Sequence, residues 1–147
     1  ACEFGALAAR ASERARAHAA LFGLNLGIAF QLVDDALDYT SSAATSGKPL
    51  GGDLREGKYT LPLLLYLEQL PDNERTLLHA ELADPHVPAT RQEAIIADIV
   101  RCNCAQQTRK AAHHYLELAK EALAVLPSCS EKTLLAAMID FVLNREI

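Results

Sequence analysis

Apolar residues recur along this chain at helical spacing, and nowhere do they alternate with polar ones over the length of a strand. Ser12 stands before ERARAHAALFGLNLGIAFQLVDDALDY, which predicts an N-cap followed by a long helix. The second half of that segment is apolar on nearly every face, through Leu21, Phe22, Leu24, Leu26, Phe30 and Val33. A helix apolar all round is one wrapped by other helices. From Thr40 the character changes: TSSAATSGKPLGGDLREGKYT is dominated by Ser, Thr, Gly and Pro and predicts a loop over residues 40–59. A loop that long inside a compact domain is usually functional or disordered. Beyond it the helical pattern resumes. Thr60 is placed to cap LPLLLYLEQL, with Pro62 tolerated in the first turn. Asp72 precedes NERTLLHAEL, the break DPHVPAT precedes RQEAIIADIVR, Asn103 precedes CAQQTRKAAHHYLELAKEALAVL, and Ser130 precedes EKTLLAAMIDFVLNREI. No period of repeated sequence is visible. The pattern predicts an all-α array.

Length and composition narrow the reading. A chain of 147 residues, half of them hydrophobic and with only 6 Pro and 7 Gly, is long enough and apolar enough to bury a core. The formal net charge of -5 argues against a nucleic-acid surface, which would usually show a basic stripe. Four cysteines without a CxxC spacing suit a reduced, cytoplasmic setting. The N-terminal segment has no basic stretch before an apolar core, so it does not read as a signal peptide. No apolar run reaches the roughly 18 residues of a membrane span, because Asp34 and Asp35 interrupt the best one. The chain starts without Met, on ACEFGALAA, which reads like the inside of a helix; the expectation is a fragment of a larger protein.

The carboxylates inside the apolar helix carry the chemistry. Asp34 and Asp38 lie one turn apart on one face, with Gln31 a turn before Asp34, and Asp35 is rotated about 100° away. Like charges at that spacing destabilise a helix by a few tenths of a kcal/mol, and no Lys or Arg lies within a turn to offset them. A cation from elsewhere would relieve the repulsion. Oxygen ligands with one or two carboxylates suit Mg²⁺, which keeps waters and shares its shell with substrate phosphates. The following loop holds Lys48 in GKP and Lys58 in GKYT, lone ammonium groups beside glycine that suit a diphosphate. Asp53 lies between them, placed to pair with a lysine or to hydrogen-bond a metal-bound water. Without that loop, DDALD reads more simply as a solvated helix end.

FQLVDDALDYTSSAATSGKPLGGDLREGKYTLPLLLYL resembles the second aspartate-rich region of the trans-type isoprenyl diphosphate synthases. In that family an FQxxDDxxD helix is followed by GK and then DLxxGKxTLP. The tail MIDFVLNREI is similar to the family's C-terminus, and TLPLLLYL suggests the medium- or long-chain class. The resemblance implies the C-terminal part of the all-α isoprenoid synthase fold. It implies Mg²⁺-dependent head-to-tail condensation: an allylic diphosphate ionises, isopentenyl diphosphate attacks the carbocation, and a proton is lost. By position, Asp34 would ligate Mg²⁺, with Asp35 and Asp38 assisting directly or through water. Gln31, Lys48 and Lys58 would contact the allylic diphosphate, and Asp53 would act from behind them.

The sequence also departs from the family. It has no other DDxxD, and the upstream basic and Gln residues that hold isopentenyl diphosphate have no counterpart. The expectation is therefore a C-terminal portion that does not catalyse alone, and whose uncovered apolar helix drives self-association into a homo-oligomer. Two other functions compete: a non-catalytic helical partner subunit of a prenyl diphosphate synthase, and a terpene cyclase relative. The intact lysine-bearing loop argues against both. Cys102, Cys104, His113 and His114 read as structural or surface residues rather than zinc ligands, and Phe4, Phe22, Phe30 and Phe141 as core. Tyr39 reads as core too, with lining a cavity as the alternative.

Overall fold

The long amphipathic segment folds as one helix. In the computed structural model, which describes residues 1–40, 50–84 and 86–145, eight helices and no strand are present among the described residues. They are α1 (Cys2–Ala8), α2 (Glu13–Leu37), α3 (Gly52–Arg55), α4 (Leu61–Gln69), α5 (Asp72–Leu82), α6 (Ala89–Arg101), α7 (Cys104–Ala124) and α8 (Ser130–Leu143). The all-α expectation holds.

Helix α2 starts as the sequence predicts: the Ser12 hydroxyl accepts the Ala15 N–H at 3.3 Å. It ends by tightening, with the Tyr39 N–H on the Ala36 carbonyl at 3.2 Å and the Thr40 N–H on Leu37 at 3.1 Å. Phe22, Leu26, Ala29, Val33 and Ala36 recur every three to four positions as its buried stripe. The opposite side is not wrapped. Leu21, Leu24 and Phe30 are 47%, 59% and 41% exposed, which corrects the expectation of a helix enclosed on every face. Phe4 and Phe141 are likewise outside, so only Phe22 of the four phenylalanines is core. The periodicity marked these positions as apolar but could not say which apolar faces find a neighbour within this chain.

A second correction concerns α2 and membranes. An 18-residue window of the helix has mean hydropathy 1.3, so by length and composition it is apolar enough to cross a bilayer. Two aspartates near its C-terminal end are not enough to take the helix below that level. Its buried stripe is also what the core helix of a folded domain presents.

The described residues form two compact units. One comprises Ala1–Val33 and the chain from Lys110 onward. Within it α1 lies against α2 where Gly23 leaves room: a Cβ there would stand 2.8 Å from the Cys2 Sγ. Gly27, one turn further along, meets nothing within 4 Å. Lys132 donates from its Nζ to the carbonyls of Ala124 (3.0 Å) and Leu126 (2.6 Å), satisfying groups at the end of α7.

The other unit is Asp34–Arg109. Tyr39, Leu63, Ile95 and Ile99 are almost wholly buried in its core, joined by Leu54, Tyr66 and Leu67. Arg91 forks onto Glu81 at 2.7 and 2.9 Å, tying α5 to α6. Tyr66 donates to Asp98 at 3.0 Å, tying α4 to α6. The expected caps shift: Asp72 and Ser130 are each the first residue inside their helix rather than the cap. Asn103 adopts a left-handed φ of 55° and closes α6, its N–H reaching the Val100 carbonyl at 3.0 Å.

Candidate functional site

The end of α2 and the residue just beyond it place three aspartates in three environments. Asp34 is exposed, Asp35 is 7% exposed and Asp38 is half-buried. Gln31 is exposed one turn before Asp34 on the same helix. This follows from the pitch: residues one position apart point about 100° apart, and only one direction leads out of the core.

Asp38 connects this helix end to the glycine-rich segment. Its carboxylate accepts the Gly52 N–H through Oδ1 at 3.0 Å and the Asp53 N–H through Oδ2 at 2.9 Å. Its carbonyl accepts the Gly51 N–H at 2.8 Å. Gly51 sits at φ 72°, a left-handed conformation, against Ile96. A Cβ on Gly52 would lie 3.1 Å from the Asp38 Oδ1, so glycine lets the carboxylate come close. Helix α3 is thus capped by an aspartate 14 to 15 positions earlier. That is why the expected loop over 40–59 contains a helical turn: four residues do not hold a helix unaided, and the cap comes from outside the segment.

From α3 the same bonding reaches Lys58. Gly57, at φ 74°, closes the turn, and the Lys58 N–H donates to the Asp53 carbonyl at 2.9 Å. The Lys58 ammonium then meets Asp53 at 3.0 Å and Glu56 at 2.7 Å. These two acids, Glu56 first, raise the lysine pKa well above its ordinary value, so it stays charged throughout the physiological range. Burial raises the Asp38 pKa; the Asp53 N–H opposes this, the Asp53 charge adds to it, and the Gly52 N–H and Lys58 oppose it further. The Tyr39 and Thr60 hydroxyls are both buried. Burial, then the charge of Asp38, pushes the Tyr39 phenol above its usual range. It is neutral and core, as the sequence indicated.

The structure therefore brings Asp38, Asp53 and Lys58 into one bonded group. Lys48 lies outside the described residues. Sequence reasoning missed Gly51 and Gly52; the doubled glycine just before DL was their signal. Among the described residues no three His, Cys, Asp or Glu side chains come together to hold a metal by themselves. An exposed carboxylate on a rigid helix end fits a hard cation that completes its shell with water and phosphate oxygens.

Known proteins resemble this chain in sequence and in fold. The polyprenyl synthetase family model matches residues 1–100. Heptaprenyl diphosphate synthase component 2 of Bacillus subtilis is 32% identical over 99% of this chain, which spans 40% of that protein. Geranylgeranyl diphosphate synthase of Methanosarcina mazei is 34% identical, again over 99% of this chain and 43% of its own length. Among solved structures, a polyprenyl synthase from Caulobacter crescentus complexed with calcium and isoprenyl diphosphate superposes with a TM-score of 0.81 at 34% identity. That match covers 97% of this chain and 44% of the other. The chain thus spans well under half the length of these relatives. With its family model matched over most of its residues and its all-α fold shared, this chain belongs to the polyprenyl synthetase family.

Proposed function

We propose that this chain supplies one face of a prenyl diphosphate synthase site, the face that holds the diphosphate of an allylic substrate through Mg²⁺. The observation that carries the reading is the bonded run from Asp38 through Asp53 to Lys58, beside the exposed Asp34. A divalent cation would supply Lewis-acid stabilisation of the departing diphosphate. Asp34 is the residue to ligate it, with Asp35 and Asp38 assisting at closer or longer range. Lys58 adds a positive charge that no physiological pH removes, and Gln31 and Lys48 add donors to the phosphate oxygens. The condensation that follows, isopentenyl diphosphate attacking the allylic cation with loss of a proton, needs a second acidic face and an isopentenyl diphosphate site. Neither is among these residues, so the activity belongs to an assembly that adds them, in one polypeptide or across two. A homo-oligomer in the cytoplasm is the setting we infer. The Caulobacter relative bound to calcium and isoprenyl diphosphate supports the metal–diphosphate chemistry.

The test has two arms. This chain alone, given an allylic primer, radiolabelled isopentenyl diphosphate and Mg²⁺, forms no elongated product; joined to the N-terminal region its relatives carry, it does. In a thermal-shift titration Mg²⁺ and inorganic pyrophosphate together raise its melting temperature slightly, and Asp34→Asn abolishes the rise. A folded, extended protein that elongates nothing favours the non-catalytic partner-subunit reading instead.

A further inference from the structure

We propose that Asp38 is the positioning residue of this site: its carboxylate works by holding the α3 turn, and so Asp53 and Lys58, rather than by ligating the metal. The proposal rests on the diphosphate-binding reading above and assigns one member of the aspartate cluster a different task. Both Asp38 oxygens are engaged by backbone N–H groups, Gly52 at 3.0 Å and Asp53 at 2.9 Å. The Asp38 carbonyl takes a third N–H, from Gly51, at 2.8 Å. These three consecutive donors converge on one residue, and they include the opening N–H groups of α3 that no helical carbonyl can satisfy.

Two glycines make the approach possible from the other side. Gly52 leaves its Cβ position only 3.1 Å from the Asp38 Oδ1, and Gly51 takes the left-handed conformation while pressed on Ile96. The turn is too short to persist unaided. What it carries is functional: Asp53 holds Lys58 through its backbone carbonyl at 2.9 Å and through its carboxylate at 3.0 Å. Removing the Asp38 anchor therefore releases the lysine without touching it. Asp34, exposed on the same helix end, stays where a metal ligand is needed.

The experiment uses the ¹⁵N-labelled chain as wild type, Asp38→Asn, Asp38→Glu and Asp34→Asn. Amide hydrogen exchange is read residue by residue, with Mn²⁺ broadening as the metal probe and Mg²⁺ plus inorganic pyrophosphate as the anion probe. Asp38→Asn and Asp38→Glu are expected to speed exchange at Gly52 and Asp53 by about tenfold, the loss of a charge-assisted hydrogen bond. Asp34→Asn leaves both amides unchanged. Mn²⁺ broadening near Asp34 persists in Asp38→Asn and disappears in Asp34→Asn, whereas the pyrophosphate-induced shift at Lys58 is lost in Asp38→Asn. Failure of Asp38→Glu to restore that shift, although it keeps the charge, separates positioning from ligation. Should the Asp38 variants not fold, as judged by protection of Ile95 and Ile99, Gly52→Ala strains the same contact with the carboxylate intact. It should raise exchange at position 53 and weaken the Lys58 response. Unchanged exchange at Gly52 and Asp53 in folded Asp38→Asn overturns the proposal, as does loss of Mn²⁺ broadening with those amides still protected. Absence of Mn²⁺ broadening in the wild type, with the exchange pattern as expected, overturns the metal reading and leaves the anchor standing.

Discussion

Gly51→Ala offers the sharpest check on the geometry around the α3 turn. The position has φ 72°, and its Cβ would come within 2.3 Å of Ile96 Cδ1 and 2.5 Å of Cγ1. The left-handed conformation alone costs a non-glycine residue about 1–2 kcal/mol. Pushing a methyl group into a filled site adds about 1–3 kcal/mol. Ile96 is 5% exposed, but it also lines a groove of about 480 Å³ with Leu50, Ala97 and Val100, which offers partial relief. The lower part of the combined range, about 2–3 kcal/mol, is therefore expected. Gly57→Ala is the control: φ is 74° there but nothing lies within 4 Å, so only the conformational cost of about 1 kcal/mol applies. Urea unfolding followed by far-UV circular dichroism reads both values. In an Ile96→Ala background the cost of Gly51→Ala should fall to that of Gly57→Ala. If the two glycine variants already match in the wild-type background, the crowding argument is wrong.

Three further outcomes are expected. The Tyr66 phenol is pushed up to about 12 by burial and then by its bond to Asp98. The folded-state pKa lies above the unfolded one, so the stabilisation is complete below pH of about 10 and is lost as pH rises toward 12. It amounts to about 2–3 kcal/mol, and the stability gap between wild type and Tyr66→Phe should shrink across that window in pH-dependent urea titrations. Ile99→Ala, at a position with no exposure, should cost about 2–5 kcal/mol, whereas Leu24→Ala, 59% exposed, should change urea stability by less than about 1 kcal/mol. With Phe4, Leu24, Leu134 and Phe141 more than half exposed, the chain should self-associate, and Leu24→Glu should reduce it; a clean monomer by light scattering at high concentration contradicts this.

Much of the site was visible in the one-dimensional pattern because its parts are local. DDALD fixes three directions on one helix, and GGDLREGK holds a turn signal, an acid and a lysine within a few positions. What stayed hidden was the bond between those pieces. Asp38 looked like one more carboxylate in a repulsive row because its partners, Gly52 and Asp53, lie 14 and 15 residues on. The same limit explains Phe30 and Phe141. Their spacing marks them as apolar, but burial depends on which other chain segments arrive, and that is not a property of a helix read alone. Helix starts were off by a residue at Asp72 and Ser130, where a polar side chain sits just inside the first turn instead of capping it.

The anchoring of Gly51 onto the Asp38 carbonyl has one more consequence. Asp38 bonds directly to Gly51, Gly52 and Asp53, so these bonds set the register of α3 against the end of α2. The number of residues between Asp38 and Gly51 then matters little to that register, because the cost of joining two fixed ends grows only with the logarithm of the chain length between them, about 0.6 kcal/mol per doubling. Insertions between Thr40 and Leu50 should therefore leave Asp38, Asp53 and Lys58 in register. The clasp lets one part of the chain diversify without disturbing the chemistry next to it.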